Sequence, residues 1–105
     1  MTRLSNSSRN SLPESVLRPT YDRSKIKAGI LHFGVGAFHR SHQALALDQL
    51  MARGKANDWG IIGVGLLPGD SKMRDALKPQ DCLYTLVTKF PDGKFHYQVI
   101  GSIID

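Results

Sequence analysis

The sequence contains a single cysteine, Cys82, and no apolar run of the length that a membrane span requires. One cysteine excludes an internal disulfide and leaves no Cys-x-x-Cys pair for zinc binding or redox chemistry. A membrane helix needs about 18 or more consecutive apolar residues, so we expect no membrane interaction. The N-terminus also lacks the apolar stretch of a secretory signal. Together these absences favour a cytoplasmic protein.

The excess of positive charge is concentrated at one end of the chain. The 105 residues carry a formal net charge of +5, and residues 1–27 hold six Lys and Arg against two acids, a net charge of +4. Residues 28–105 are nearly neutral, with a net charge of +1. Because basic residues without interleaved aromatics are typical of a solvated segment, we expect no nucleic-acid partner.

Residues 1–24 are predicted to form a basic arm rich in Ser, Asn and Arg. This composition cannot bury enough apolar surface to offset the entropy of ordering it, so we expect the arm to be ordered only where it packs on something else. Its Arg and Ser content also weakly resembles an organellar transit peptide. The globular part is predicted to begin at residue 25.

Strand and helix patterns alternate from residue 25 onward. They predict strands over 26–33, 59–64, 83–89 and 95–100, and helices over 37–53 and 71–78, with a hairpin turn at 90–94. The first strand has the short apolar run of a parallel strand buried on both faces. The order predicts an α/β fold with a Rossmann-like parallel sheet and a β-hairpin near the C-terminus. Since such a sheet normally continues until both faces are covered, we expect the chain to be only the N-terminal portion of its domain.

A glycine-rich turn follows the first predicted strand and opens the first predicted helix. Its residues are Gly34, Val35, Gly36, Ala37 and Phe38. In this position glycines permit a tight turn and let backbone N–H groups approach a pyrophosphate at the positive end of the helix. The third glycine of the G-x-G-x-x-G pattern is replaced by His39, which predicts a helix held slightly farther from the strand.

An acid beyond the second strand usually accompanies such a turn and accepts hydrogen bonds from ribose hydroxyls. Asp70 is the one candidate in this sequence. The residues alone leave two interpretations open, because Asp70 also stands where it could cap the N-terminus of the following helix. The two roles are compatible.

Charged and aromatic residues open the long predicted helix. Arg40 could neutralise phosphate charge, although an ion pair is the commoner role for such an arginine. His39 and His42 lie at metal-ligand spacing, but no carboxylate or cysteine completes a ligand set, so we predict no metal site. His32, inside the first strand, is predicted to be a hydrogen-bonded core histidine. No nucleophilic or hydrolytic group of residues can be assembled, so no catalytic residue is assigned.

Three stretches of the sequence are distinctive beyond the generic turn. They are Gly34 to Ala44 (GVGAFHRSHQA), Asp58 to Leu66 (DWGIIGVGL), and Met73 to Asp75 (MRD) with Gln80 to Leu86 (QDCLYTL). Together they resemble the N-terminal Rossmann part of the mannitol dehydrogenase family, the polyol-specific long-chain dehydrogenases and reductases. The resemblance extends from about Leu12 to Asp105.

The resemblance implies NAD(P)-dependent, metal-independent oxidation of a secondary alcohol on a polyol, or reduction of the matching ketose, with mannitol and fructose as the expected pair. It implies cofactor binding by Gly34, Gly36, Phe38 and Asp70. NAD is the expected cofactor, and NADP is not excluded, because relatives often carry a second acid where this chain has Gly69. The family's catalytic lysine belongs to a later helical domain, so the 105 residues alone are expected to be inactive.

Two other functions remain open at this stage. One is a truncated, non-catalytic fragment that binds nucleotide. The other is a methyltransferase-like module, which also combines a glycine-rich turn with a later acid, although the F-H-R-x-H-Q sequence after the turn favours the dehydrogenase.

Overall fold

Five strands and three α-helices make up the computed structural model of the chain, which describes residues 3–105. The strands are β1 (Val16–Leu17), β2 (Ala28–Phe33), β3 (Gly60–Val64), β4 (Tyr84–Lys89) and β5 (Phe95–Ile100), and the helices are α1 (Ala37–Ser41), α2 (Gln43–Ala52) and α3 (Ser71–Leu77). Short 3-10 turns lie at Arg9–Ser11, Arg23–Lys25, Pro68–Asp70 and Lys78–Gln80. The predicted alternation of strand and helix is confirmed.

The parallel sheet consists of β2 and β3, extended by the segment after β5. Ile30 and Phe33 of β2 lie beside Ile61 and Val64 of β3. On the other side of β3, Ile61 forms a parallel bridge with Ile103. Three neighbouring chain segments therefore run in the same direction, and their carboxyl ends meet at one edge of the sheet.

The predicted hairpin is confirmed. Strands β4 and β5 pair antiparallel from Tyr84 and Ile100 to Lys89 and Phe95. The turn between them closes with a hydrogen bond of 2.9 Å from the Phe90 N–H to the Lys94 carbonyl. On the outer side of β5, the two residues of β1 pair in parallel.

The core lies on one face of the parallel sheet. Its buried residues come from α2, α3, the hairpin and the central strands: Ala44, Ile61, Leu77, Cys82, Tyr84, Ile100 and Ile103. On the opposite face, Leu31 and Phe33 are 58% and 55% exposed. The prediction that this first strand is buried on both faces is wrong for these residues, because the helices that pack here cover only the face that carries Ile30 and Ile61.

The helix predicted over 37–53 is two helices that meet at His42. The backbone of His42 lies outside the helical region, with φ of −124° and ψ of −76°. Side chains take the carbonyls that a continuous helix would use, since the His42 ring bonds the Phe38 carbonyl at 2.9 Å and the Tyr84 hydroxyl donates to the Arg40 carbonyl at 2.6 Å. No helix within residues 3–105 has the length and hydropathy to cross a membrane.

The arm packs against the rest of the chain. Pro19 is buried. The Tyr21 hydroxyl donates to Asp48 of α2, and the Arg23 guanidinium donates to carbonyl oxygens after β5. The contact with Tyr21 explains why Asp48, a charged residue of α2, is only 4% exposed. The boundary between residues 24 and 25 stays a prediction.

Candidate functional site

A cleft of about 610 Å³ opens at the carboxyl ends of β2 and β3. Ligands of open parallel α/β sheets bind at this edge, where the strands end and the helices begin. The cleft is lined by glycine-rich turns, by apolar side chains of α3 and its surroundings, and by charged groups. These residues include Gly34, Val35, Gly36, Ile62, Gly63, Gly65, Asp70, Lys72, Met73, Arg74, Leu77, Lys78, Cys82, Ile103 and Asp105.

The turn after β2 is built by its two glycines. Gly34 has φ of +87°, a conformation that disfavours any side chain, and its N–H donates to the Val64 carbonyl at 2.8 Å. Gly36 precedes the first residue of α1. A Cβ at either glycine would meet no atom within 4 Å, so the space beside both glycines is open. The turn therefore presents bare backbone to the cleft.

The glycines at the end of β3 have the opposite surroundings. A Cβ at Gly63 would collide with Cγ2 of Val35, and a Cβ at Gly65 would lie 2.6 Å from Cβ of Asp70. Gly63 thus lets the first turn lie close on β3, and Gly65 lets Asp70 come close to the strand end. From the sequence, this second Gly-Val-Gly is interpreted as a strand end and as a poorer phosphate loop than the first, because Leu66, Leu67 and Pro68 follow it. The signal that could have found its role is the acid five residues after Gly65.

Asp70 reaches backward along the chain. Its Oδ2 accepts the N–H groups of Leu66 and Leu67, at 2.8 Å and 2.9 Å. Its side chain makes no capping bond to the helix that follows, so the N-cap interpretation is wrong. The N–H bonds of Leu67 and Leu66 hold the pKa of the Asp70 carboxyl below its usual range. The carboxylate is therefore ionised at neutral pH where it lines the cleft.

Apolar groups form the wall opposite the turn. Met73 and Leu77 stand one helical turn apart on α3, and Cys82 and Ile103 complete the surface. Burial raises the pKa of the Cys82 thiol, which keeps it neutral and consistent with an apolar wall. None of these residues was assigned to the site by sequence reasoning. Only the spacing of Met73 and Leu77 on the predicted helix could have suggested the wall.

The remaining predicted site residues, Ala37 and Phe38, lie on α1 and are not among the residues that line the cleft. Ala37 begins the helix. Phe38 is 75% exposed and stacks on His42, with 3.9 Å between ring centroids. Nε of Arg40 donates to the Gly36 carbonyl at 3.3 Å, and its guanidinium lies over the Tyr84 ring. In residues 3–105 Arg40 thus supports the turn and forms no ion pair.

Two histidines pack between α1 and β2. The rings of His32 and His39 are stacked, with centroids 3.6 Å apart. His39, at the position of the pattern's third glycine, is 7% exposed, and the larger distance between helix and strand stays a prediction. Burial, with His32 as the next cause, lowers the pKa of His39. His32 was predicted to be hydrogen-bonded, and it is stacked instead. The described part of the chain holds no group of three potential metal ligands.

Comparison with known proteins identifies the family. The family described as the mannitol dehydrogenase Rossmann domain matches residues 28–105. This chain belongs to that family. Mannitol 2-dehydrogenase of Aspergillus fumigatus is 56% identical over 86 residues, which cover 81% of this chain and 17% of that protein. Mannitol 2-dehydrogenase of Cereibacter sphaeroides is 49% identical over 93 residues, covering 89% of this chain and 19% of that protein.

Solved structures of relatives share the fold. The mannitol 2-dehydrogenase of Pseudomonas fluorescens, solved as a ternary complex with NAD and D-mannitol, superimposes with a TM-score of 0.95 and 42% identity. D-Sorbitol dehydrogenase in substrate-free form superimposes with a TM-score of 0.88 and 40% identity. Each comparison covers 99% of this Rossmann chain and 21% of the relative. The predicted Rossmann fold and the family resemblance are confirmed, and the chain spans about a fifth of the length of these relatives.

Proposed function

We propose that this chain is the part of an NAD-dependent polyol dehydrogenase that binds the adenosine and pyrophosphate of the cofactor. One observation carries the proposal. An open glycine turn, the N-terminus of a helix and an ionised carboxylate converge on a single cleft at the carboxyl ends of two parallel strands. The relative from Pseudomonas fluorescens, whose structure contains NAD, supports the choice of cofactor.

The pyrophosphate is assigned to the turn formed by Gly34, Val35 and Gly36. The space beside both glycines is open, so phosphate oxygens can approach the backbone. The first N–H groups of a helix have no partner within it, and we assign those of Ala37 and Phe38 to the same anion. NAD, when bound, supplies the hydride acceptor of the reaction.

The adenosine is assigned to the other side of the cleft. Asp70 would accept hydrogen bonds from the ribose hydroxyls, and its negative charge would repel a 2′-phosphate, so NAD is favoured. Lys72 and Arg74 line the same cleft and carry the positive charge that the 2′-phosphate of NADP would require, so NADP is the second candidate cofactor. The adenine would lie on the apolar wall that includes Met73 and Leu77.

The substrate is proposed by similarity to be a polyol or its ketose, of the mannitol and fructose type, since the relative from Pseudomonas fluorescens was solved with D-mannitol. No catalytic residue is assigned in this chain. Hydride transfer needs a base for the hydroxyl proton and a held substrate, and this positioning accounts for about 7–11 kcal/mol of barrier reduction. The 105 residues alone are therefore proposed to bind cofactor without oxidising mannitol.

Catalysis by the isolated chain has a direct test. We expect no NADH absorbance from the purified 105 residues supplied with NAD and mannitol. Heat-sensitive NADH production would instead require a base among these residues.

We propose the cytoplasm as the compartment, because the one cysteine is a buried free thiol, which suits a reducing environment. A non-catalytic nucleotide-binding fragment is the second candidate function, and the same cleft would bind its nucleotide. The methyltransferase interpretation draws no support from the family or the relatives.

Calorimetric titration of the 105-residue chain with parts of the cofactor tests the proposal. ADP-ribose contains the groups assigned to the turn, to Asp70 and to the apolar wall, so we expect it to bind. Nicotinamide mononucleotide lacks the adenosine and should bind at least about tenfold more weakly. Binding of nicotinamide mononucleotide as tight as that of ADP-ribose, or no binding of ADP-ribose, would contradict the assignment.

A further inference from the structure

The arm is hydrogen-bonded to residues 101–105, the segment that follows β5. This segment forms part of the cleft wall. Ile103 and Asp105 of the segment line the cleft. The guanidinium of Arg23 donates to the carbonyl oxygens of Gly101 and Ile103, at 3.0 Å from Nε and 2.8 Å from Nη2. The arm therefore bonds directly to the backbone of a cleft-lining segment.

Arg23 occupies the edge of segment 101–105 that faces away from β3. The opposite edge of the segment bonds to the N–H and the carbonyl of Ile61, each at 2.9 Å. Carbonyl groups alternate between the two edges of a strand, so those of Gly101 and Ile103 need a partner on the outer edge. One planar guanidinium supplies both donors.

A second contact fixes the start of the same segment. Oδ1 of Asp48 accepts the Gly101 N–H at 2.9 Å and also the hydroxyl of Tyr21. A Cβ at Gly101 would lie 2.9 Å from Cγ of Pro19 and 3.1 Å from Nε of Arg23. The arm and the segment are therefore packed too closely to admit a side chain at position 101 without a shift.

We propose that Arg23 is a positioning residue for the cofactor cleft. It holds segment 101–105 against β3 and so keeps Ile103 in the wall that receives the adenosine half of the cofactor. Arg23 reaches the cleft-lining segment only through these two backbone carbonyls and does not itself line the cleft. Its remaining bond, 2.7 Å from Nη1 to Oδ1 of Asn6, stays within the arm. The proposal rests on the proposed function, since it requires a ligand in the cleft.

Arg23→Leu in the full 105-residue chain removes both donors. Arg18→Leu is the matched control, because the Arg18 guanidinium bonds only within the arm. Its acceptors are the carbonyl oxygens of Arg9, Leu12, Pro13 and Val16. Arg23→Lys keeps a cation but loses the planar pair of donors, and it serves as the milder variant if Arg23→Leu fails to fold.

Two measurements report separately on position and on binding. Amide hydrogen exchange at Ile61 and Ile104 follows the pairing of the segment with β3, and calorimetry gives the affinity for ADP-ribose. In Arg23→Leu we expect both amides to exchange about tenfold faster and ADP-ribose to bind about tenfold more weakly. Amides of the β4 and β5 hairpin should keep the parent's exchange rates. Arg23→Lys should recover part of both effects.

The outcomes separate the two proposals. Parent-like exchange at Ile61 and Ile104, or parent-like affinity, in Arg23→Leu overturns the positioning role and leaves the proposed function standing. The same effects in Arg18→Leu would assign the role to the arm as a whole and overturn that of Arg23. If the parent chain binds no ADP-ribose, the proposed function fails and the positioning role fails with it.

Discussion

Two Gly-Val-Gly tripeptides end neighbouring parallel strands, and they have opposite surroundings. At Gly34 and Gly36 a Cβ would meet no atom within 4 Å, so the first tripeptide faces open space. At Gly63 and Gly65 a Cβ would run into Val35 and Asp70. The first pair of glycines leaves room for a ligand, and the second leaves room for the protein's own side chains.

The comparison shows that a glycine motif does not by itself identify a ligand-binding turn. Glycine is used in both places because it lacks a Cβ, but what approaches the backbone differs. The second tripeptide still serves the site indirectly. Gly63 seats the first turn, and Gly65 admits Asp70 to the strand end. Substitutions in the two tripeptides should therefore affect different quantities.

The largest effect is expected from Gly36→Val, which should remove NAD binding and spare the fold. The new side chain would fill the space assigned to the pyrophosphate, and hydrogen bonds to a charged group contribute about 1.5–3 kcal/mol each. We expect the Kd for NAD to rise about 100-fold or more. Because a Cβ at Gly36 meets no atom within 4 Å, the free energy of unfolding should change by less than about 0.5 kcal/mol.

Titration calorimetry and urea unfolding measure these two quantities for Gly36→Val. Ala52→Val, at the exposed end of α2, introduces the same side chain away from the cleft and should leave NAD binding unchanged. NAD affinity equal to the parent's in Gly36→Val would show that the first turn does not contact the pyrophosphate.

Asp70→Ala should weaken NAD binding about 10- to 100-fold, because a hydrogen bond to a charged carboxylate is lost. NADP binding should suffer much less, or improve, since the charge that repels its 2′-phosphate is gone. Asp70→Asn keeps an oxygen for the N–H groups of Leu66 and Leu67 but removes the charge, so its affinity for NAD should be intermediate.

The same titrations, run with both cofactors, separate the two roles of this carboxylate. Equal losses for NAD and NADP in Asp70→Ala, together with no loss in Asp70→Asn, would mean that Asp70 only holds the turn before α3.

Gly63→Ala tests the second tripeptide, and here the expected loss is in stability. Its Cβ would collide with Val35, and overpacking of this kind costs about 1–3 kcal/mol. Val35→Ala in the same chain removes the colliding group and should restore about half of the loss, measured as a double-mutant cycle by urea unfolding. Gly69→Ala is the control, because a Cβ there meets no atom within 4 Å. Independent, additive effects of the two changes would refute the contact.

The smallest effect is expected from protonation of His39, which stands where the first turn would have its third glycine. Burial lowers the pKa of His39 in the folded chain, so the unfolded chain binds a proton there first as the pH falls. Stability should therefore decrease as the pH falls below the ordinary histidine value of about 6.5. The midpoint of thermal unfolding at pH 7.5 and 5.5 measures this.

His39→Phe keeps an aromatic ring on His32 and should reduce the pH dependence of the midpoint. His96→Gln, in the hairpin, is the control and should retain the parent's dependence. An unchanged pH dependence in His39→Phe would remove His39 as its source.

The strands were largely predictable because their signals are local. The turn residues Pro91 to Gly93 and the β-branched residues around them predicted the hairpin, and β5 spans the predicted residues 95–100. The long helix was predicted without its break because the groups that stabilise the break are distant in sequence. The Tyr84 hydroxyl reaches the Arg40 carbonyl from β4, and no periodicity over residues 37–53 reports that contact.

The residues that line the candidate site also fall into those that a local sequence pattern predicts and those that it does not. Gly34, Gly36 and Asp70 could be predicted, since each has a local pattern with a known physical use. The apolar wall could not, because Ile103 reaches the cleft only through its pairing with β3. Outside the cleft, the burial of Asp48 was likewise not predictable, because its partners, Tyr21 and Gly101, lie far away along the chain.

The sequence by itself determined the order of strands and helices, the hairpin, the glycine turn and the family. These follow from side-chain periodicity and backbone preference, which act over a few residues. Only the tertiary structure decided what surrounds each Gly-Val-Gly, which way the Asp70 carboxylate turns, and that Arg23 bonds to the segment after β5. Each of these features depends on contacts between residues that packing brings together. Because most of the contacting residues are far apart in sequence, no local pattern predicts the contacts.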